Sequence, residues 1–257
     1  MKRVLTAAVL APLVCWVVLG QATAPFAIAL SVVAFFCFLE YGVLARVAGI
    51  EARVIGFVSG FLLLWMPAYN PALLLGAALL AFVVSLRRDS TAEVLPHTSA
   101  LVFGIVYCFG PWRCARELRI IGPFWLLYAL ALNWIGDMAA FYVGSRWGRR
   151  KLAPRISPAK SWEGTAASAA ASALFGVFFL GAYAPERGWA EVVVLSVVAN
   201  VAGQAGDLCE SALKRGVGVK DSGTLLPGHG GWLDRVDSSL FSLPVVYLWL
   251  SWQNLLP

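Results

Sequence analysis

The sequence predicts an all-α protein: a polytopic integral membrane helical bundle of about nine transmembrane helices, with an active site at the cytoplasmic interface. Three observations predict it. Mean hydropathy is +0.77, and only 13% of the 257 residues are charged, which leaves too little polar surface to cover a soluble globule. Apolar runs recur along the chain. Polar residues at helical spacing interrupt the later runs and lead into a charge-dense, glycine-rich segment.

The apolar runs cover 4–19, 22–39, 54–69, 71–86, 97–112, 120–143, 165–184, 189–208 and 238–253. Several fall short of the ~20 residues a perpendicular span prefers. One of the first four is therefore a candidate re-entrant segment, and eight spans is the alternative to nine. The first run follows Lys2 and Arg3 as a signal peptide would, but eight apolar segments follow it, so an uncleaved first helix is expected. With nine spans and a cytoplasmic N-terminus, the inner loops hold sixteen of the twenty Lys and Arg residues. Arg113, Arg116, Arg119 and Arg187 fall outside, and the 113–119 cluster breaks the rule. This reading places the protein in a bacterial cytoplasmic (inner) membrane, with both long polar loops facing the cytoplasm.

The net charge of +6 fits this topology and attraction to anionic membrane lipid. No soluble basic domain exists to carry nucleic acid, so no nucleic-acid partner is expected. Cys15, Cys37, Cys108, Cys114 and Cys209 show no metal spacing, and no disulfide is expected. The small-residue stretch Ala166–Ala173 points to close helix packing.

Asn133 and Asp137 lie four apart in the sixth run and share a helix face. An acid inside a span is costly and normally faces a cavity or a partner. Beyond it come Gly144, Gly148, a cationic tract, and Ser157-Pro158, read as a chain break. Lys160, Ser161 and Glu163 then precede the seventh run. Ser161 suits an N-cap, with Glu163 in the first turn. In the eighth run Asn200, Gln204, Asp207 and Ser211 recur at spacings of 4, 3 and 4, a single polar stripe on a helix. Interhelical hydrogen bonding would also explain such a stripe.

From Ser211 to Asp237 six glycines and a proline suggest a shaped loop rather than a regular element. Acids able to hold a divalent cation stand there beside bases and free N–H groups able to hold phosphate. Asp137, Asp207, Asp221, Asp234 and Asp237 are the candidate acids. Lys214, Arg215, Lys220 and Arg235 are candidate phosphate clamps. Gly228, Gly230 and Gly231 would let backbone N–H groups approach phosphate, and His229 would donate to it. Asn133, Asp137, Ser157, Lys160, Glu163 and Ser211 complete the candidate substrate-binding set. Asp137 and Asp207 are expected at similar depth near the inner interface, with the 209–237 loop closing over them.

The spacing of Ser211, Lys214, Arg215, Lys220, Asp221, Gly223, Leu226, Pro227, His229, Gly230, Gly231, Asp234, Arg235 and Asp237 resembles the signature of the phosphatidate cytidylyltransferase (CDP-diacylglycerol synthase) family. Asn133, Asp137, Tyr142, Gly144, Gly148, Ser157-Pro158, Lys160 and Glu163-Gly164 also resemble that family. The likeness covers the C-terminal half; the first ~130 residues match only as generic apolar spans. Trp232 departs from the pattern, standing where the family usually has an aliphatic residue. The resemblance implies transfer of a cytidylyl group from CTP to phosphatidate, giving CDP-diacylglycerol and pyrophosphate. It further implies dependence on Mg²⁺ with room for a second, monovalent cation, metal ligation by Asp207 and Asp234, and a homodimer. Residues 1–112 would be scaffold, and 113–257 the catalytic region carrying the signature segment 207–237. The competing readings are a CTP-dependent lipid kinase, a cytidylyltransferase acting on another polar lipid and, more remotely, an ion-coupled transporter. A transporter would show internal repeats and matched broken helices, and neither is visible.

Overall fold

The structure is a computed structural model, and it describes residues 12–225 and 230–255. It is mostly helical. The helices are α1 (12–19), α2 (Thr23–Leu44), α3 (Ile50–Trp65), α4 (Asn70–Ser85), α5 (Val94–Ile121), α6 (Pro123–Trp147), α7 (Trp162–Tyr183), α8 (Trp189–Gly216), α9 (Leu233–Val236) and α10 (Ser239–Leu255). Among the described residues five helices are long and apolar enough to cross a membrane: α2, Thr91–Ile121, α6, α7 and α8. The chain is an all-α integral membrane protein. Half of the first apolar run, residues 4–11, lies outside the described residues, and α3 and α4 are only 16 residues each.

Three local expectations change. The polar segment 113–119 is not a loop, because α5 runs unbroken to Ile121 and only Gly122 separates it from α6. The Arg119 guanidinium explains one exception to the charge rule. It donates to the carbonyls of Val18 (3.1 Å) and Gly20 (2.6 Å) at the end of α1, where helical carbonyls lack their own partners. Arg116 pairs with Glu117 at 2.7 Å.

Ser157-Pro158 does not break the chain either. Both lie in β2 (Ser157–Ser161), which pairs antiparallel with β1 (Lys151–Ala153) across a bulge. Proline suits this small two-stranded edge, where a missing N–H costs little. Finally, Ser211 does not open a loop. It and Lys214 and Arg215 belong to the last turns of α8, which ends at Gly216 with a left-handed Gly218 (φ +75°) just beyond.

The chain divides into two compact units. One holds the described residues of 21–113 and 221–235; the other holds those of 10–20, 114–220 and 236–257. In the first, α2 packs on α3 and α3 on α4. In the second, α6, α7, α8 and α10 form a ring of pairwise contacts. Gly164, Ser168, Ser172 and Gly176 are the buried stripe of α7, so the small-residue stretch does serve close packing. Without an apolar–water difference between lipid and helix, such short side chains gain contact by letting backbones approach.

Candidate active site

In the unit of α6, α7, α8 and α10, the helical unit, the polar stripe of α8 divides into two parts along its length. Its upper part is structural. Asn200 Nδ2 donates to Ser168 Oγ (3.0 Å) and Ser172 Oγ (2.9 Å) on α7. Gln204 Nε2 donates to Asn200 Oδ1 at 2.6 Å. Asn133, 3% exposed, donates to Ser242 Oγ of α10 (2.7 Å) and to the Ala129 carbonyl (3.1 Å). These amides are consumed by helix–helix hydrogen bonds, the alternative the spacing left open. Gly136 permits one of them: a Cβ there would stand 2.5 Å from Asn200 Nδ2.

The lower part of the stripe is charged. Asp207 Oδ2 lies 2.8 Å from Lys160 Nζ, which β2 delivers from the hairpin. Asp207 Oδ1 accepts from Ser211 Oγ at 3.3 Å, one turn on. Lys214 pairs with the fully buried Glu210, also one turn apart. Asp237, between α9 and α10, accepts from the Ser238 N–H at 2.6 Å. Desolvation by the surrounding protein, reinforced by Asp207 and Asp137, pushes the Asp237 carboxyl up to about 7. The Ser238 N–H and Lys214 oppose that rise. Asp137, Asp207 and Asp237 therefore feel one another, and a gathering of carboxylates with lysines is the oxygen-rich, mixed-charge chemistry that suits Mg²⁺ and phosphate. Among the described residues no three His, Cys, Asp or Glu side chains form a ready-made metal cage.

The hairpin is buckled onto this unit by Glu163, whose carboxylate accepts from the N–H groups of Arg149 (3.1 Å) and Arg150 (3.2 Å). Ser161 caps α7 through Gly164 N at 3.2 Å, as the sequence predicts. Ser157 lies in β2, half-buried. Arg215 donates to the Val219 carbonyl at 2.9 Å and remains exposed, as does Lys220.

The other unit carries residues 221–235 of the signature segment. Asp234 Oδ2 accepts from Ser222 N (2.9 Å) and Gly231 N (2.8 Å). Gly230 adopts φ +79°, and a Cβ there would come within 2.7 Å of Asp234 Oδ2. Asp221 and Arg235 are exposed. Gly228 and His229 lie outside the described residues. Trp232 has a local explanation: its ring stacks on Phe36 of α2 at 5.6 Å. Sequence reasoning missed Glu40, also on α2, which accepts from Ser222 Oγ, Trp232 N and Leu233 N. The available signal was a lone acid closing an apolar run, the first acid in the chain.

Comparison with known proteins agrees with this chemistry. The model of the cytidylyltransferase family matches residues 1–252. The chain is similar to the phosphatidate cytidylyltransferase of Pseudomonas aeruginosa, 33% identical over 270 residues, covering 95% of this chain and 94% of that protein. It is 39% identical over 174 residues to the phosphatidate cytidylyltransferase of Bacillus subtilis, covering 67% of this chain and 64% of the relative. The Brucella suis protein of the same name is 44% identical over 123 residues, 48% of this chain and 45% of the relative. The chain thus spans less than two thirds of the length of the Bacillus and Brucella relatives.

Proposed function

Since the chain belongs to the cytidylyltransferase family, we propose that it transfers a cytidylyl group from CTP to phosphatidate, yielding CDP-diacylglycerol and pyrophosphate. A phosphate oxygen of phosphatidate attacks the α-phosphorus of CTP. The bond from that phosphorus to the bridging oxygen breaks, and pyrophosphate leaves with the electron pair. The nucleophile is already anionic, so no strong general base is required. The difficulty is the approach of two polyanions.

The observation that supports this reading most is the Lys160–Asp207 pair at 2.8 Å, with Asp237 and Asp137 acting on one another beside it. It holds cation and carboxylate chemistry together where the helical stripe ends. Lys160, Lys214, Arg215, Lys220 and Arg235 would neutralise phosphate oxygens. Asp207 in the helical unit and Asp234 in the other each offer a carboxylate for Mg²⁺, with Asp137, Asp221 and Asp237 as further acids. Mg²⁺, when bound, screens the phosphates and stabilises the charge growing on the leaving group. His229 stays assigned to the pyrophosphate and Gly228 and Gly230 to phosphate, while the Gly231 N–H, expected to approach phosphate, is taken by Asp234.

Labelled CTP tests the reaction. With purified protein, phosphatidate and Mg²⁺, an α-phosphorus label should appear on lipid, and a γ-phosphorus label should leave in pyrophosphate. The reverse pattern would favour a CTP-dependent lipid kinase, and replacing phosphatidate by other anionic lipids would expose a different acceptor.

CTP is cytoplasmic, so we place segments 144–163 and 209–237 on the cytoplasmic side of an inner membrane crossed by about nine helices, in a homodimer. Single cysteines at Ser157 and the exposed Thr224 should then react only from the cytoplasmic face of sealed vesicles, and one at Arg187 only from the other. Light scattering in detergent checks the dimer. Opposite labelling of Ser157 and Thr224 would overturn this topology.

A further inference from the structure

Glu40 is 4% exposed, near the C-terminal end of the membrane-length helix α2. A buried carboxylate is expensive unless its oxygens are satisfied. Here three donors converge on them. Oε2 accepts from Ser222 Oγ at 2.7 Å and from Leu233 N at 2.9 Å, and Oε1 accepts from Trp232 N at 3.0 Å. All three donors come from one segment, 182 to 193 residues away in sequence.

The fit is tight on both sides. A Cβ at Gly223 would stand 2.5 Å from Glu40 Oε1, and one at Gly231 would collide with both Glu40 Oε2 and Ser222 Oγ. Glycine is needed at these two positions because the chain must pass directly against the carboxylate. Trp232 adds a second hold on the same helix by stacking on Phe36, one turn before Glu40. Gly230 and Gly231 lie between the two anchored ends, Asp221 immediately before the first and Asp234 immediately after the second. Asp234 closes the same loop from within, through Ser222 N and Gly231 N.

We infer that Glu40 is a positioning residue for cytidylyl transfer: within the signature segment it clasps Ser222 on one side and Trp232 and Leu233 on the other, and so sets where Asp221, Gly230, Gly231 and Asp234 stand. α2 is thereby part of the catalytic apparatus rather than scaffold. Glu40 makes no contact with the reacting atoms in this role. It acts through the backbone it holds. This rests on the cytidylyltransferase reading, but the loop geometry it claims can be measured without turnover.

The test compares Glu40→Gln, Glu40→Asp and Ser222→Ala with the wild type in detergent. Gln keeps the shape but presents an N–H₂ group to backbone N–H donors. Hydrogen exchange of the peptide spanning Trp232 and Leu233 should accelerate on the order of 10-fold in Glu40→Gln, the scale for losing a hydrogen bond to a charged group. Turnover should fall at least ~10-fold while the KM for phosphatidate holds, because a misplaced active-site group costs rate more than lipid binding. Glu40→Asp, which keeps the acceptor-only carboxylate, should recover part of the turnover that Glu40→Gln loses. Ser222→Ala removes one of three bonds and should give a smaller change of the same kind. Wild-type exchange and turnover in Glu40→Gln would overturn the inference, as would a turnover loss that only tracks the folded fraction. Should Glu40→Gln fail to fold, Ser222→Ala decides: wild-type exchange and turnover there overturn it. Wild-type protein that moves no α-label to lipid overturns the reaction, and leaves the exchange result to judge the clasp.

Discussion

In the helical unit the polar and charged residues stand on or beside regular elements: Asp207, Ser211 and Lys214 on α8, and Lys160 on a short strand leading into α7. In the other unit the described residues of 221–235 have almost no regular structure beyond the single turn of α9, and their shape depends on Glu40 from a helix far back in the sequence. The first kind of site is held by the hydrogen bonds of a helix. Its spacing is fixed by 3.6 residues per turn. The second kind is held by a carboxylate taking the place of backbone partners. Loss of one side chain should therefore disturb the two sites to different extents.

The largest expected effect is common to both units. Asp207→Asn and Asp234→Asn should each lower turnover at least ~100-fold in saturating Mg²⁺, the scale for removing a main electrostatic element. Their consequences for structure should differ. Asp207 sits against Lys160 and Ser211 on a helix that keeps its own hydrogen bonds, so exchange along α8 should stay as in wild type. Asp234 holds Ser222 N and Gly231 N, so its replacement should also loosen the 221–225 backbone. Equal exchange profiles for the two variants would erase the contrast between the sites. Near-wild-type turnover for both would remove the metal assignment.

A middle-sized effect separates packing from chemistry within one helix. Asn200→Leu leaves Ser168, Ser172 and Gln204 without their shared partner. Stability should drop by about 1–2 kcal/mol, the range for interhelical hydrogen bonds in membranes. Thermal unfolding in detergent reads this, while turnover per folded molecule should change less than ~3-fold, within about 0.7 kcal/mol of barrier. A turnover loss on the scale of Asp207→Asn would extend the catalytic stripe upward to Asn200.

The smallest expected effect concerns the aromatic hold on the signature segment. Trp232→Leu installs the aliphatic type that the family resemblance leads one to expect. It removes the stack on Phe36, worth about 0.5–1.5 kcal/mol, but keeps the Trp232-position N–H that donates to Glu40. Turnover should fall less than ~3-fold. A loss comparable to that of Glu40→Gln would show that the ring, rather than the carboxylate, sets the loop.

The sequence by itself determined the class and carried the family resemblance. Apolar excess requires lipid as solvent, helical spacing places Asn200, Gln204, Asp207 and Ser211 on one face, and the acids, lysines and arginines of the signature are the basis for proposing phosphate as the ligand. It also determined local details such as the Ser161 cap, because capping depends on neighbours three residues apart. What only the tertiary structure decided were contacts between residues far apart in sequence. Asn133 and Asn200 proved to be interhelical bonds, since which amide meets which serine depends on helix packing. Ser211–Gly216 continued α8, because the buried Glu210 and its partner Lys214 extend the helix past the point where glycines begin to accumulate. Glu40 was legible only as an odd acid at the end of an apolar run. Its role comes from three donors in one segment, 182 to 193 residues later, and no local spacing encodes a meeting at that separation.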